Sequence, residues 1–112
     1  MTVKDFVKWI YPQARKMGEI NPVFVTAQAA LESGWGKSAI GNNLFGITKG
    51  SSWKGAVRLV TTTEYFSRPD IGFKAPEKVL QVVRLSEKRY RYTVKRLFRD
   101  YDSVADCLAD HL

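Results

Sequence analysis

One cysteine, one histidine and four prolines stand among the 112 residues, and acidic side chains are the minority, 11 against 18 Lys and Arg. Each scarcity closes a class of explanation. A lone Cys107 cannot build a disulfide framework or a multi-cysteine metal site. A lone His111 excludes a His-rich zinc cluster and argues against a Ser-His-Asp triad. No apolar run approaches the roughly 18 residues that a membrane-spanning helix requires. Lys4, Asp5 and Lys8 interrupt the apolar positions of the N-terminal stretch, which therefore does not read as a signal peptide. Export would need another route, or a leader outside this sequence. What is present is ordinary globular composition: 45% hydrophobic residues, with three Trp, five Tyr and six Phe. Such a chain is neither disordered nor fibrous, and its length suits a single domain over residues 1–112.

The net charge of +7 is uneven. Residues 1–65 carry 8 basic and 4 acidic side chains, residues 66–100 carry 10 and 4, and residues 101–112 carry no basic and 3 acidic ones. A basic surface suits a polyanion: nucleic acid, an anionic membrane or an anionic cell-wall polymer. Lys88–Arg99 mixes aromatics with Arg and Lys as some nucleic-acid binders do, but carries no recognised motif, so no nucleic-acid partner is expected.

Val3, Phe6, Val7 and Ile10 repeat at helical spacing behind Thr2, a suitable cap. Pro12 is expected to end or kink that helix near Tyr11, with a second short piece running to Met17 and stopping at Gly18. Asn21-Pro22 restarts a helix, its expected core stripe being Val23, Ala27, Ala30 and Leu31 with Phe24 beside it, and Gly34 closes it. Residues 34–52 hold five glycines and read as a structured loop with a short helical turn at Lys37–Ile40. Alternation through Val57, Leu59, Thr61, Thr63 and Tyr65 predicts a strand, and Tyr90, Tyr92 and Val94 predict another running to Phe98. Lys78–Leu85 fits strand or helix, with its valines favouring strand. Tyr90 and Tyr92 suit a cross-strand ladder better than a sugar platform. Asp102 or Ser103 caps a last helix bearing Val104, Cys107, Leu108 and Leu112, with Cys107 expected as a core thiol. The apolar stripe of that helix runs to the last residue without a stop signal, so the domain is expected to be cut at its C-terminal side.

Glu32 breaks a local rule. It lies in the last turn of its helix, where the macrodipole disfavours an anion, among Val25, Gln28, Ala29 and Trp35. Dipole and apolar neighbours together would favour the protonated carboxyl, the form a general acid needs. A solvated glutamate ending a helix is the plainer reading.

The stretch Ala27-Gln28-Ala29-Ala30-Leu31-Glu32-Ser33-Gly34-Trp35-Gly36-Lys37-Ser38, followed by Asn42-Asn43-Leu44-Phe45-Gly46-Ile47, resembles the signature of the bacterial and phage glucosaminidases, glycoside hydrolase family 73. Thr62-Thr63-Glu64-Tyr65 is similar to the family's Thr-Glu-Tyr segment. Leu97-Phe98-Arg99-Asp100-Tyr101-Asp102-Ser103 is similar to its F-R-x-Y-D-S segment. Most of residues 3–65 and 94–112 are covered, whereas residues 66–90 are longer than the usual connection. The resemblance implies an α+β, lysozyme-like fold: a mainly helical lobe, a small antiparallel β-lobe over residues 55–100, and a saccharide groove. It implies Glu32 as general acid, with Glu64 as a second carboxylate that orients water or stabilises positive charge; the alternative for Glu64 is an exposed strand glutamate paired with one of the many nearby arginines. Carboxyl separation would inform its role: about 5–5.5 Å suits a nucleophile, and roughly 6.5–9.5 Å leaves room for an attacking water. Trp35, Asn43, Phe45 and Tyr65 are the candidate substrate-binding residues, although packing beneath the Glu32 loop is the plainer reading of Trp35 and Asn43 could equally hold a turn.

The implied reaction is hydrolysis of the peptidoglycan glycan strand as an endo-β-N-acetylglucosaminidase. The alternatives are a muramidase, a lytic transglycosylase and a non-catalytic wall-binding domain. No metal or cofactor is implied, and the expected setting is extracytoplasmic, with the chain acting as a monomer. The family also continues through another helix and an Asn-Pro-x-Tyr-like segment that this sequence lacks.

Overall fold

The computed structural model describes residues 1–18 and 21–111, and the order of elements is helix, helix, three strands, helix. Leu112, expected on the apolar stripe of the last helix, lies outside the described residues. The chain forms two compact units. One comprises Met1–Ile47, Lys54–Ala56 and Arg99–Leu112; the other comprises Thr48–Trp53 and Val57–Phe98. The second unit thus draws in residues 48–52, the last five of the stretch that the sequence assigned to a loop.

The first unit is helical. Helix α1 (Val3–Met17) opens with a reciprocal cap: the Thr2 hydroxyl accepts from the Asp5 amide at 3.1 Å, and Asp5 accepts from the Thr2 amide at 3.1 Å. Pro12 neither ends nor divides it, contrary to expectation. Proline deprives one carbonyl, that of exposed Lys8, of its intrahelical donor, and solvent can replace that bond. One residue on, the Gln13 side chain donates to the Trp9 carbonyl at 2.8 Å, supporting the weakened turn. Gly18 closes the helix in the left-handed conformation, as its position predicts.

Helix α2 (Pro22–Ser33) begins as the sequence indicates, with Asn21 Oδ1 accepting from the amides of Val23 and Phe24. Of its expected core stripe only Ala30 is buried. Val25, Thr26, Ala29, Ala30 and Ser33 are buried, while Val23 and Phe24 are each 62% exposed and Leu31 is 83% exposed. The small residues form the inward face because they let α2 approach α1, whose Phe6, Ile10 and Ala14 are buried. Leu44, Tyr101 and the Val104, Cys107 and Leu108 side chains of α3 (Val104–His111) complete this core. Ser103 is the residue whose hydroxyl caps α3, accepting from the Asp106 amide. Cys107 is fully buried, and burial pushes its thiol pKa up, as befits a core residue.

The expected helical turn at Lys37–Ile40 is instead a hydrogen-bonded turn leading into a bridge between Ile40 and Asn43. Near the end of the unit, Asp110 accepts from Tyr101 Oη at 2.5 Å and from Arg99 at 2.8 Å. These two bonds hold its carboxyl below the usual range. A depressed carboxylate stabilises the fold above its unfolded pKa of about 4, and that contribution disappears as pH falls through the lower folded value. Asp110→Asn is therefore expected to lower the melting temperature at about pH 6 and to converge on wild type near pH 3, read by thermal melts.

The second unit is a three-stranded antiparallel sheet of order β1–β3–β2, with β1 at Val57–Phe66, β2 at Lys78–Ser86 and β3 at Arg89–Arg99. Lys78–Leu85 is thus strand. In the β2–β3 register Val79 faces Val94, Val82 faces Tyr92 and Arg84 faces Tyr90, with irregularities after Val79 and Arg84. One face is covered: Tyr92 and Val94 are fully buried, and Phe66 meets Tyr92 edge-on at 4.8 Å. Tyr92 Oη donates to the Arg68 carbonyl and accepts from the Ile71 amide at 3.2 Å, fixing the loop after β1. Tyr92 is a core residue, and it is not available as a sugar platform.

Candidate active site

The Glu32 segment is built by the chemistry of the residues that follow it. Gly34 adopts φ 57°, and the amides of Gly34 and Trp35 return to the carbonyls of Leu31 and Ala30 at 3.5 and 2.8 Å. These two bonds make a Schellman closure, which places Glu32 in the last helical turn. Ser33, completely buried, donates to the Ala29 carbonyl at 2.5 Å and accepts from the Gly36 amide at 2.9 Å. Trp35 also sits at positive φ, 57°, so three successive residues of the Ser-Gly-Trp run serve to turn the chain sharply after the carboxylate.

Glu32 itself is exposed. It lines a shallow depression of about 350 Å³ with Phe24, Ala27, Gln28 and Leu31. The apolar enclosure expected around it is therefore an open floor on one side. Trp35 lines a different, strongly apolar hollow of about 420 Å³ with Val7, Tyr11 and Val23. Its ring meets Phe6 edge-on at 5.7 Å and remains 39% exposed.

The other site candidates separate into structural and accessible groups. Asn43 is fully buried; its amide donates to the carbonyls of Ile47 and Arg99, both at 2.9 Å, and its Oδ1 accepts from the Ile47 amide at 3.0 Å. Of its two anticipated roles, the structure shows the turn-holding one. Phe45 is half-buried, and the His111 imidazole stacks on it at 3.8 Å and 12°.

His111 was set aside in the sequence as too isolated for a triad, yet it reaches back to α2, with its Nε2 3.1 Å from Gln28 Oε1. Gln28 and Glu32 are four residues apart on one helix face and line the same depression. That spacing was the signal available for Gln28. Nothing in the sequence ties His111 to it.

Alternation puts Glu64 and Tyr65 on opposite faces of β1, as expected: Glu64 is half-buried and Tyr65 is 52% exposed beneath the Arg89 guanidinium at 4.8 Å. Both Glu64 oxygens accept from Arg96 Nη1, at 2.8 and 2.9 Å. Arg96 Nε donates to Glu77 at 2.7 Å, and its guanidinium lies 4.7 Å from the centre of the Phe73 ring. One arginine thus joins two carboxylates and an aromatic face. Arg96→Met should destabilise the fold by about 2–3 kcal/mol in denaturant titration, because it strands two half-buried carboxylates. Arg96→Lys should recover only part of that loss, since a point charge cannot satisfy both partners.

Among the described residues no helix is long and apolar enough to cross a membrane. The family profile described as mannosyl-glycoprotein endo-beta-N-acetylglucosaminidase, glucosaminidase, matches residues 8–112. Peptidoglycan hydrolase FlgJ of Salmonella typhimurium is 34% identical over 97% of this chain and 31% of its own length. The Escherichia coli K12 protein of that name is 35% identical over 79% of this chain and 24% of its own. The Pseudomonas aeruginosa one is 44% identical over 54% and 18%. The chain therefore spans under a third of the length of these relatives. No solved structure matches it.

Proposed function

The chain belongs to the glucosaminidase family, and from that membership we propose that it hydrolyses the glycan strand of peptidoglycan as an endo-β-N-acetylglucosaminidase, with Glu32 as general acid. The observation that carries this reading is the placement of Glu32: exposed in the last turn of α2, beside an open apolar depression. A catalytic acid must be reachable by its substrate, and apolar surface suits the faces of pyranose rings.

In the reaction, the Glu32 proton passes to the glycosidic oxygen as the bond from that oxygen to the anomeric carbon breaks. Positive charge builds on the sugar ring, and water completes hydrolysis. Gln28, held by His111, lies one helical turn before Glu32 and is suited to positioning substrate beside the acid. Both oxygens of Glu64 are engaged by Arg96, which suits it to balancing charge rather than attacking as a nucleophile. The substrate's own acetamido oxygen is then the group left to assist at the anomeric carbon. The chain acts as a monomer on the wall, outside the cytoplasm.

Purified peptidoglycan incubated with the chain should release reducing sugar steadily. Sedimentation of the chain with the wall, without any release, would identify a binding domain instead.

A further inference from the structure

The entire net charge of the chain lies in the sheet-bearing unit. Thr48–Trp53 and Val57–Phe98 hold eleven Lys and Arg against four Asp and Glu, whereas the helical unit that carries Glu32 has seven of each. Within the sheet-bearing unit the two faces of the sheet differ. The connection after β1 folds over one of them: Phe73 meets Phe66 at 6.1 Å and the Arg96 guanidinium at 4.7 Å, and Tyr92 Oη holds the main chain of Arg68 and Ile71. Glu64, the only acidic residue within the three strands, lies on this covered face with Arg96.

The strand positions of the other face hold no carboxylate at all. Alternation and register give it Lys78, Arg89, Arg91 and Lys95, a row of cations about 20 Å long beside and along β3. Lys78, Arg89 and Arg91 are exposed. Lys78 stands directly opposite Lys95 in the ladder, a like-charge pairing that costs stability. A cost of that kind, with no acid on the same face to offset it, marks a surface shaped by binding rather than by folding. The groups between the cations narrow the partner. Thr61, Thr63, Gln81 and Thr93 occupy the centre of the face, and their hydroxyls and amide suit hydrogen bonds to amides and sugar hydroxyls rather than entry into hydrocarbon. Tyr65, the aromatic residue of this face, already lies under the Arg89 guanidinium at 4.8 Å and is a poor platform for stacked bases.

We propose that this open face is a docking surface which, resting on the peptidoglycan reading above, takes an acidic peptidoglycan strand. Carboxylates of the peptide stems meet the Arg and Lys side chains, and the Thr and Gln side chains meet the amides between them. Arg89 and Arg91 suit that task because a guanidinium grips a carboxylate with two parallel hydrogen bonds. The surface holds the chain on the wall and takes no part in breaking a bond.

The test is co-sedimentation of the chain with purified peptidoglycan, beside peptidoglycan whose carboxyl groups have been amidated with ethanolamine. Amidation should weaken binding by about tenfold without any change to the protein. Arg91→Glu/Lys95→Glu should weaken it by about the same factor. Lys4→Glu/Lys8→Glu, an equal charge change at exposed positions of α1, should weaken it less than about twofold. Equal losses in the two double variants, or undiminished binding to amidated peptidoglycan, would overturn the proposal. Release from the wall by oligothymidylate at a lower charge concentration than by poly-L-glutamate would also overturn it, by making the partner a nucleic acid. An inactive chain whose sedimentation still depends on the carboxylates would overturn the glucosaminidase reading alone. An active chain indifferent both to amidation and to Arg91→Glu/Lys95→Glu would overturn only the docking surface.

Discussion

Glu32→Gln is expected to lower turnover of peptidoglycan by about 10²–10⁴-fold while leaving the melting temperature within about one degree of wild type. The magnitude is that of removing a positioned general acid. The unchanged stability follows from position, since the Glu32 side chain is exposed at the end of α2. Glutamine keeps the size and polarity of the side chain but has no proton to deliver to a departing alkoxide. Binding to the wall should therefore survive. The paired readouts are initial rates of reducing-sugar release and co-sedimentation with purified wall. Activity above about a tenth of wild type would remove Glu32 from the acid's role.

Asn43→Ala should have the opposite signature, a large loss of stability. The buried amide makes three bonds to main chain, joining the loop at Ile47 to the carbonyl of Arg99 at the end of β3. Truncation removes three hydrogen bonds at one buried point and leaves the Ile47 amide without its acceptor, although the Ile47 carbonyl keeps the Arg99 amide at 3.0 Å; at about 1 kcal/mol for each lost bond the cost is about 3 kcal/mol in sum. For a domain of this size that corresponds to a fall of about 10–20 °C in melting temperature. Asn43→Asp should be no better, because it keeps the acceptor for the Ile47 amide but turns a carboxylate towards two carbonyl oxygens. A variant that melted normally and showed only a raised KM would make Asn43 a sugar ligand after all.

The punctuation of the helical unit was legible because it rests on local chemistry. Thr2, Asn21-Pro22, Gly18 and Gly34 each meet a backbone requirement that few other residues meet, and each occupies the role its type predicts. The face that α2 buries was not legible. Apolar residues occur all round that helix, so periodicity alone favoured Val23, Ala27, Ala30 and Leu31, of which only Ala30 is buried. The small Ala29 and Ser33 decided the matter by permitting close approach. Pro12 misled for a related reason: the rule against proline counts a lost hydrogen bond, and the Gln13 side chain next to it supports the turn.

At the candidate site, Glu32 was visible as a residue out of keeping with its helix terminus, and the motif around it set its chemistry. That Glu64 could pair with a nearby arginine was one of its sequence readings, but the choice of Arg96 was not visible, because 32 residues separate them and ten basic side chains in residues 66–100 were equally eligible. The same is true of His111 and Gln28, which are 83 residues apart and come together only through the packing of α3.

The central claim is a hydrolytic cut at N-acetylglucosamine, and digestion of purified peptidoglycan in ¹⁸O-labelled water tests it most directly. Fragments analysed by mass spectrometry should end in reducing N-acetylglucosamine carrying one ¹⁸O at the anomeric position. Label on reducing N-acetylmuramic acid would mean a muramidase, and unlabelled anhydro ends would mean a lytic transglycosylase; either result would contradict the account.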